Sequence, residues 1–162
     1  MRPELLTGYT LDGQPQPIEP DQVVWRPGAY AVIFNVERQV LVLDNIKTGR
    51  YDLPGGGVEL WEDLRSGLVR EVWEETGLDV AIRELLHLED AFFVTPSGRA
   101  WHTINIYFRG DVLGGSLRSS IIPDEWSLNP HWVDPRTLTA NSFTEVRGMV
   151  YTALQKALEY VR

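Results

Sequence analysis

From Gly28 the chain passes through AYAVIFNV (Ala29–Val36) and RQVLVLDN (Arg38–Asn45), two apolar, β-branched stretches broken at Glu37, which predict a pair of adjacent strands. Beyond Gly77, LDVAIRELLHLEDAFFVT alternates as extended chain does, with an interruption at Leu86 to Asp90. The Pro96-Ser97-Gly98 turn then leads into AWHTINIYFRGDV (Ala100–Val112) as its partner strand, and Asn129 to Val133 supplies a last one. Two stretches carry the helical period instead. Over Glu62 to Thr76 the apolar Leu68, Val69, Val72 and Trp73 share one arc suited to packing on a sheet. Ser142-Phe143-Thr144-Glu145 has the spacing of a capping box and precedes Val146, Val150, Leu154, Leu158 and Val161, so a terminal amphipathic helix is expected. Residues 1 to 25, with Pro3, Pro15, Pro17 and Pro20 around an Asp12-Gly13 turn, read as an irregular arm with two short edge strands. The domain proper is then 26 to 162, a mixed α/β unit.

Composition narrows the function. The 162 residues suffice for one domain, and a hydrophobic fraction of 43% with six tryptophans supports a packed core. A net charge of −8 is the wrong sign for a protein that gains affinity by releasing counterions, so long nucleic acid is not an expected partner. No apolar run reaches the ~20 residues of a membrane span, and MRPELLTGYT lacks the pattern of a signal segment, so no membrane partner and a cytoplasmic location are expected. With no cysteine in the chain, any metal must rest on oxygen or histidine ligands.

The stretch GGGVELWEDLRSGLVREVWEETGL, Gly55 to Leu78, poses an electrostatic problem. On a helix, Glu74 and Glu75 lie about 60° and 40° to either side of Glu71, so three carboxylates crowd one arc. The residues four further on from Glu71, Glu74 and Glu75 are Glu75, Leu78 and Asp79, none of them a cation. The cluster also sits at the C-terminal end, where the helix dipole is already negative. A solvated acidic face is the ordinary explanation; a hard divalent cation, Mg²⁺ or Mn²⁺, explains the crowding as well, since it prefers carboxylate oxygens. Gly67, one turn before Glu71, leaves space on the same arc.

These residues resemble the signature of the Nudix hydrolases: a Gly, five residues, a Glu, seven residues, then Arg-Glu-aliphatic-x-Glu-Glu-x-Gly-aliphatic. Gly56, Glu62, Arg70, Glu71, Val72, Glu74, Glu75, Gly77 and Leu78 occupy every constrained position. Tyr51 replaces a common Trp before Leu-Pro-Gly-Gly, Trp61 a frequent Gly, and Gly67 a frequent Ala, none of them a metal ligand. The resemblance implies an α/β/α sandwich with a mixed sheet, a loop-helix bearing the signature and a C-terminal helix. It further implies metal-dependent hydrolysis of a nucleoside diphosphate linked to another moiety, with a small nucleotide as partner and a homodimer as a frequent family arrangement.

By the same resemblance, Glu71, Glu74, Glu75 and the Gly56 carbonyl hold Mg²⁺ or Mn²⁺, and Arg70 fixes Glu62 or a catalytic carboxylate. An ordinary helix pair of Arg70 with Glu74 is the alternative. The general base is either Glu75 or an acid of the segment Ile121 to Asp134, where Asp124 and Glu125 precede Trp126 and two prolines suggest a lid. Arg26, Lys47, Arg50 and His102 are candidates for substrate contact, against the plain alternatives of solvated cations and a hydrogen-bonded rim histidine. Pro96 stands near where ADP-ribose-cleaving relatives place a proline, although the turn explains it too. Three functions are therefore open: a MutT-like nucleoside triphosphate pyrophosphohydrolase, an ADP-ribose or nucleotide-sugar pyrophosphatase, and a non-catalytic nucleotide sensor.

Overall fold

The computed structural model describes residues 3–144 and 149–161. In chain order it contains β1 (Leu6–Tyr9), β2 (Pro15–Ile18), β3 (Val23–Phe34), β4 (Val40–Asn45), β5 (Arg50–Asp52), β6 (Gly55–Gly57), α1 (Leu64–Thr76), β7 (Leu78–Val94), β8 (Ala100–Gly115), β9 (Ser127–Val133) and α2 (Val150–Tyr160). The strands form one mixed sheet in the order β2-β1-β7-β8-β3-β4-β5, with β6 on β3 and β9 on β4. Helix α1 packs on one face through Leu68 and Val72 against Ala29, Ala31, Ile33 and Phe108. Helix α2 covers the other face, where Ala153 and Leu154 meet Tyr30, Val32 and Tyr107. This is the Nudix-type α/β/α sandwich.

Alternation along β3 decides which helix each residue meets: odd positions 29, 31 and 33 face α1, even positions 30 and 32 face α2. The parallel pairing of β3 with β8 carries the same division into β8. Because β3 pairs with β4 only near Phe34, its lower half is free to bind the glycine strand β6, Gly28 opposite Gly57 and Ala29 opposite Gly56. The signature loop is thereby inserted into the sheet.

Several boundaries differ from the sequence reading. Helix α1 begins at Leu64, not Glu62: the Asp63 side chain accepts from the amides of Arg65 and Ser66 and caps the helix, leaving Glu62 in the preceding loop. Strand β7 is continuous from Leu78 to Val94, and the interruption near Leu86 takes the form of register shifts between Ile82 and His87. Ser142 does not open the last helix. Its hydroxyl accepts from the Thr139 amide at 3.0 Å and closes a one-turn 3-10 helix, Ala140–Ser142, while α2 starts at Val150. Glu145 and Val146 of the expected helix start lie outside the described residues. The candidate lid, Ile121 to Asp134, is half strand: β9 takes Ser127 onward and pairs with β4. In the N-terminal segment, β1 and β2 form a hairpin through Asp12-Gly13, β1 touches β7, and β3 already begins at Val23.

Candidate active site

Arg70 organises the acids. Its Nε and Nη2 donate to the two carboxylate oxygens of Glu62 at 3.0 and 2.7 Å, and its Nη1 donates to Glu71 Oε1 at 3.0 Å and Glu74 Oε2 at 2.8 Å. Both pairings left open by the sequence, with Glu62 and with Glu74, are therefore present at once. The hydrogen bond from Arg70, joined by the Glu59 amide at 2.9 Å, holds the Glu62 carboxyl below its ordinary range. Gly67 gives this carboxylate its room, since a Cβ there would stand 2.8 Å from Glu62 Oε1.

Glu71 responds differently. Burial pushes its carboxyl up, against the opposing pull of Arg70 and, more weakly, of Arg26. Gly56 lies against it, so that a Cβ on Gly56 would come within 3.0 Å of the Glu71 carboxylate. Glu75 is 4% exposed and its Oε2 accepts from the Gly55 amide at 2.8 Å, tying the helix to the glycine loop from the other side. The loop and the last turns of α1 are thus in direct contact, with four acids and one guanidinium between them.

The charge excess at the helix C-terminus is also offset from outside. Arg118, in the segment after β8, donates to the carbonyls of Trp73 at 2.7 Å and Glu74 at 3.0 Å and lies over the Trp73 ring at 4.8 Å. Its amide and that of Ile121 reach the carbonyls of Thr76 and Glu74. Gly77, at φ 77°, ends the helix in the left-handed conformation. A local i+4 reading overlooks Arg118 because it arrives from far along the chain.

The donor set was tested against a divalent cation. Among the described residues no three His, Asp or Glu side chains already stand in a metal-holding arrangement, because the acids are turned to Arg70 and Gly55. Their chemistry nonetheless fits: Glu71 and Glu74 share one guanidinium nitrogen, Glu71 is half-buried beside Gly56, and every available donor is a hard oxygen.

Next to this centre, on the α2 face, is a cavity of about 250 Å³. Arg26 links the two. Its guanidinium lies over the Trp101 ring at 4.6 Å, and a Cβ on Gly57 would come within 2.5 Å of it. Glu125 also borders the cavity, but its Oε1 accepts from the amides of Trp126 at 2.7 Å and Ser127 at 3.3 Å, which fastens it to its own loop. Lys47 is not among the cavity's described walls, and its Nζ lies 5.7 Å from the centre of the Trp126 ring. Arg50 lies in β5 opposite Asn45 and is not among the cavity's described walls. His102 is turned away. It pairs with Asp90 at 2.9 Å and stacks on Phe92 at 4.3 Å, whereas its neighbours Trp101 and Thr103 face the cavity. Pro96 belongs to the turn closed by Gly98 N to Thr95 O at 2.8 Å.

Polar residues of the cavity that were not anticipated include Asn105, Asp52 and Ser127, with the Ser127 hydroxyl and the Asn45 amide donating to Asp52 Oδ2 at 2.6 and 2.7 Å. A signal for Asn105 was present, since it is the one amide within the apolar stretch Ile104 to Phe108.

With this geometry in view, the comparisons with known proteins agree. Residues 24–153 match the NUDIX domain, and the chain belongs to the Nudix family. It is 34% identical over 110 residues to an 8-oxo-dGDP phosphatase of Danio rerio, covering 66% of this chain and 31% of that protein. It is 36% identical over 90 residues to an ADP-ribose pyrophosphatase of Methanocaldococcus jannaschii, covering 54% of this chain and 52% of that one. The matches thus span less than two thirds of either relative. A crystal structure of an ADP-ribose pyrophosphatase from Streptococcus suis superposes with a TM-score of 0.62 at 20% identity, over 85% of this chain and 92% of the other. The MutT protein from Methanosarcina mazei gives 0.61 at 23%, over 85% and 96%. These structural likenesses concern the fold.

Proposed function

We propose that the chain is a metal-dependent pyrophosphohydrolase of small nucleotides, acting in the MutT-like manner on a nucleoside triphosphate to yield the monophosphate and pyrophosphate. The observation that carries this reading is the single guanidinium of Arg70 holding Glu62, Glu71 and Glu74 together beside the Gly56 loop. Glu71, Glu74, Glu75 and the Gly56 carbonyl are the residues that would hold Mg²⁺ or Mn²⁺. Such an ion supplies neutralisation of the diphosphate charge and a lowered pKa for the attacking water.

Arg70 keeps the acid row in register, with Glu62 as its fixed anchor. Arg26, between the Gly57 backbone and Trp101, is placed to meet a phosphate oxygen leaving the cavity. Water attacks phosphorus, the bond to the departing phosphate oxygen breaks, and the water's proton passes to a carboxylate. Glu75 is the nearer candidate for that proton, being set against the glycine loop, and Glu125 the alternative from the cavity wall. The Danio rerio relative is named for action on a nucleoside diphosphate, 8-oxo-dGDP, and the Methanocaldococcus jannaschii relative for action on ADP-ribose, and both names support a small nucleotide as substrate.

The test is product analysis on a panel of nucleoside triphosphates, ADP-ribose and nucleotide sugars, with Mg²⁺ and with EDTA. Pyrophosphate and monophosphate released only with Mg²⁺ is the expected result. Turnover confined to ADP-ribose or nucleotide sugars, giving a mononucleotide and a sugar phosphate, would replace this reading with the second, and binding without turnover would make the domain a sensor.

A further inference from the structure

The cavity's floor contains an amide with nothing to bond. Asn105 is 4% exposed, borders the cavity, and its side chain makes no hydrogen bond with any described residue. Beside it, Asp52 Oδ2 accepts from Asn45 and Ser127, and the Thr103 hydroxyl donates to the Ala91 carbonyl at 3.3 Å. An amide that opens onto a void and is bonded to no described residue is a place where a ligand's hydrogen bonds belong.

The surroundings indicate which part of a ligand. Tyr30, Trp101 and Trp126 border the same space, and aromatic faces of this kind take flat heterocycles by stacking. At about 250 Å³ the cavity far exceeds the ~30 Å³ share of one water. An asparagine amide presents an acceptor oxygen beside donor hydrogens, the complement of a base edge that sets a donor next to an acceptor.

Distance supports the same assignment. Asn105, Gly28 and Gly57 occupy one row across β8, β3 and β6, so two strand spacings, roughly 10 Å, separate the amide from the glycine loop. Gly28, lacking a side chain, makes room for the Tyr30 ring, whose hydroxyl would stand 3.2 Å from a Cβ there, and Arg26 stands alongside on the same strand face. A nucleoside laid along this row has its base at Asn105 and its phosphates at Arg26 and the glycine loop.

We infer that Asn105 is the specificity-determining residue for the nucleobase, pairing with the polar edge of a base stacked in this cavity. The inference rests on the proposed nucleotide function. A base whose edge does not match leaves the amide unpaired, and discrimination of this type exceeds what shape alone provides. A neighbouring strand residue of the same face, Thr103, is already bonded to Ala91 and does not compete for this role.

The experiment measures equilibrium binding of ADP, GDP, CDP and UDP, with inorganic pyrophosphate as the control lacking a base, to the wild type, Asn105→Leu and Asn105→Asp. Turnover of the matching triphosphates is followed in parallel. The wild type is expected to prefer one base at least tenfold. Asn105→Leu should erase that preference while leaving pyrophosphate binding unchanged, and its melting temperature should stay near that of the wild type because the amide has no hydrogen bond with a described residue to lose. Asn105→Asp, of the same shape without the donors, should alter the order of preference and serves if the leucine variant fails to fold. Preference lost in the variants but no wild-type turnover would support Asn105 and sink the hydrolase reading. Turnover with the wild-type order of preference retained in both variants, or a wild type indifferent to the base, would overturn the role of Asn105 and leave the hydrolase reading standing.

Discussion

Arg70 and Glu62 form a two-pronged pair, Nε to Oε2 at 3.0 Å and Nη2 to Oε1 at 2.7 Å, that joins the first turns of the signature loop to the middle of α1. A fork of this shape is specific to a guanidinium, and a lysine ammonium cannot reproduce it while also reaching Glu71 and Glu74. Arg70→Lys should therefore lower kcat by about 10²-fold, the scale of loss when reacting groups are misplaced by an ångström. Steady-state kinetics with saturating Mg²⁺ measure it; a variant within a few fold of wild type would show that the fork is only structural.

Glu75→Gln preserves shape, and the glutamine oxygen is able to accept from the Gly55 amide as Glu75 Oε2 does at 2.8 Å. Stability should hold or rise, because one anion leaves the helix end. The rate should drop at least ~10²-fold, since the group that binds metal or accepts the proton is lost. Paired melting and rate measurements separate the two effects, and near-normal turnover would remove Glu75 from the mechanism.

Millimolar Mg²⁺ or Mn²⁺ should raise the melting temperature of the wild type, because the folded helix brings together acids that are scattered in the unfolded chain. Glu74→Gln, which removes the charge of the acceptor 2.8 Å from Arg70 Nη1 while keeping an oxygen there, should reduce that rise. A wild-type melting curve indifferent to either ion would argue against the ligand set.

Glu125 is fastened to the amides of Trp126 and Ser127, and the glutamine oxygen in Glu125→Gln is able to accept from both in the same way. If Glu125 accepts the water's proton, the variant should lose kcat far more than KM and flatten the acid limb of the pH profile. Activity close to wild type at every pH would leave Glu75 as the base.

Arg118 meets the carbonyls at the end of α1 and covers Trp73, so Arg118→Ala should destabilise the fold by about 1–2 kcal/mol through lost charge-assisted hydrogen bonds. Urea denaturation reads this directly. An unchanged midpoint would mean that solvent replaces the cap at no cost.

Glu89 provides a pH test remote from the acid helix. Burial raises its carboxyl above the ordinary 4.5, although the Tyr107 hydroxyl donates to it at 3.2 Å. The folded state therefore holds this proton more tightly than the unfolded chain, and its contribution to stability declines as pH rises from 4.5 through the raised value. Glu89→Gln should match the wild type at low pH and become the more stable of the two as pH passes through that window, as melting curves at several pH values would show. A difference independent of pH would mean that Glu89 ionises without cost.

The local information in the chain was enough for the acid helix, its glycine stop, the strand pairs and the family signature, because those depend on periodicity and on residues close in sequence. Even there the capping chemistry shifted two boundaries: Asp63 capped α1 so that it starts two residues after the expected Glu62, and Ser142 served the turn before it rather than α2. The uncompensated charge at Glu71, Glu74 and Glu75 was legible as a problem, but its remedies were divided between Arg70, whose rotamer served three acids at once, and Arg118, whose position depends on how the segment after β8 folds back. Only the tertiary structure decided which candidates stand at the cavity: strand parity turned His102 outward to Asp90 while the β3–β6 pairing drew Arg26 against Gly57. The same parity buried Asn105 facing a cavity whose opposite wall comes from residues far along the chain, Trp126 and Ser127 among them. Burial and cross-sheet proximity are properties of the assembled sheet, and no spacing within one strand encodes them.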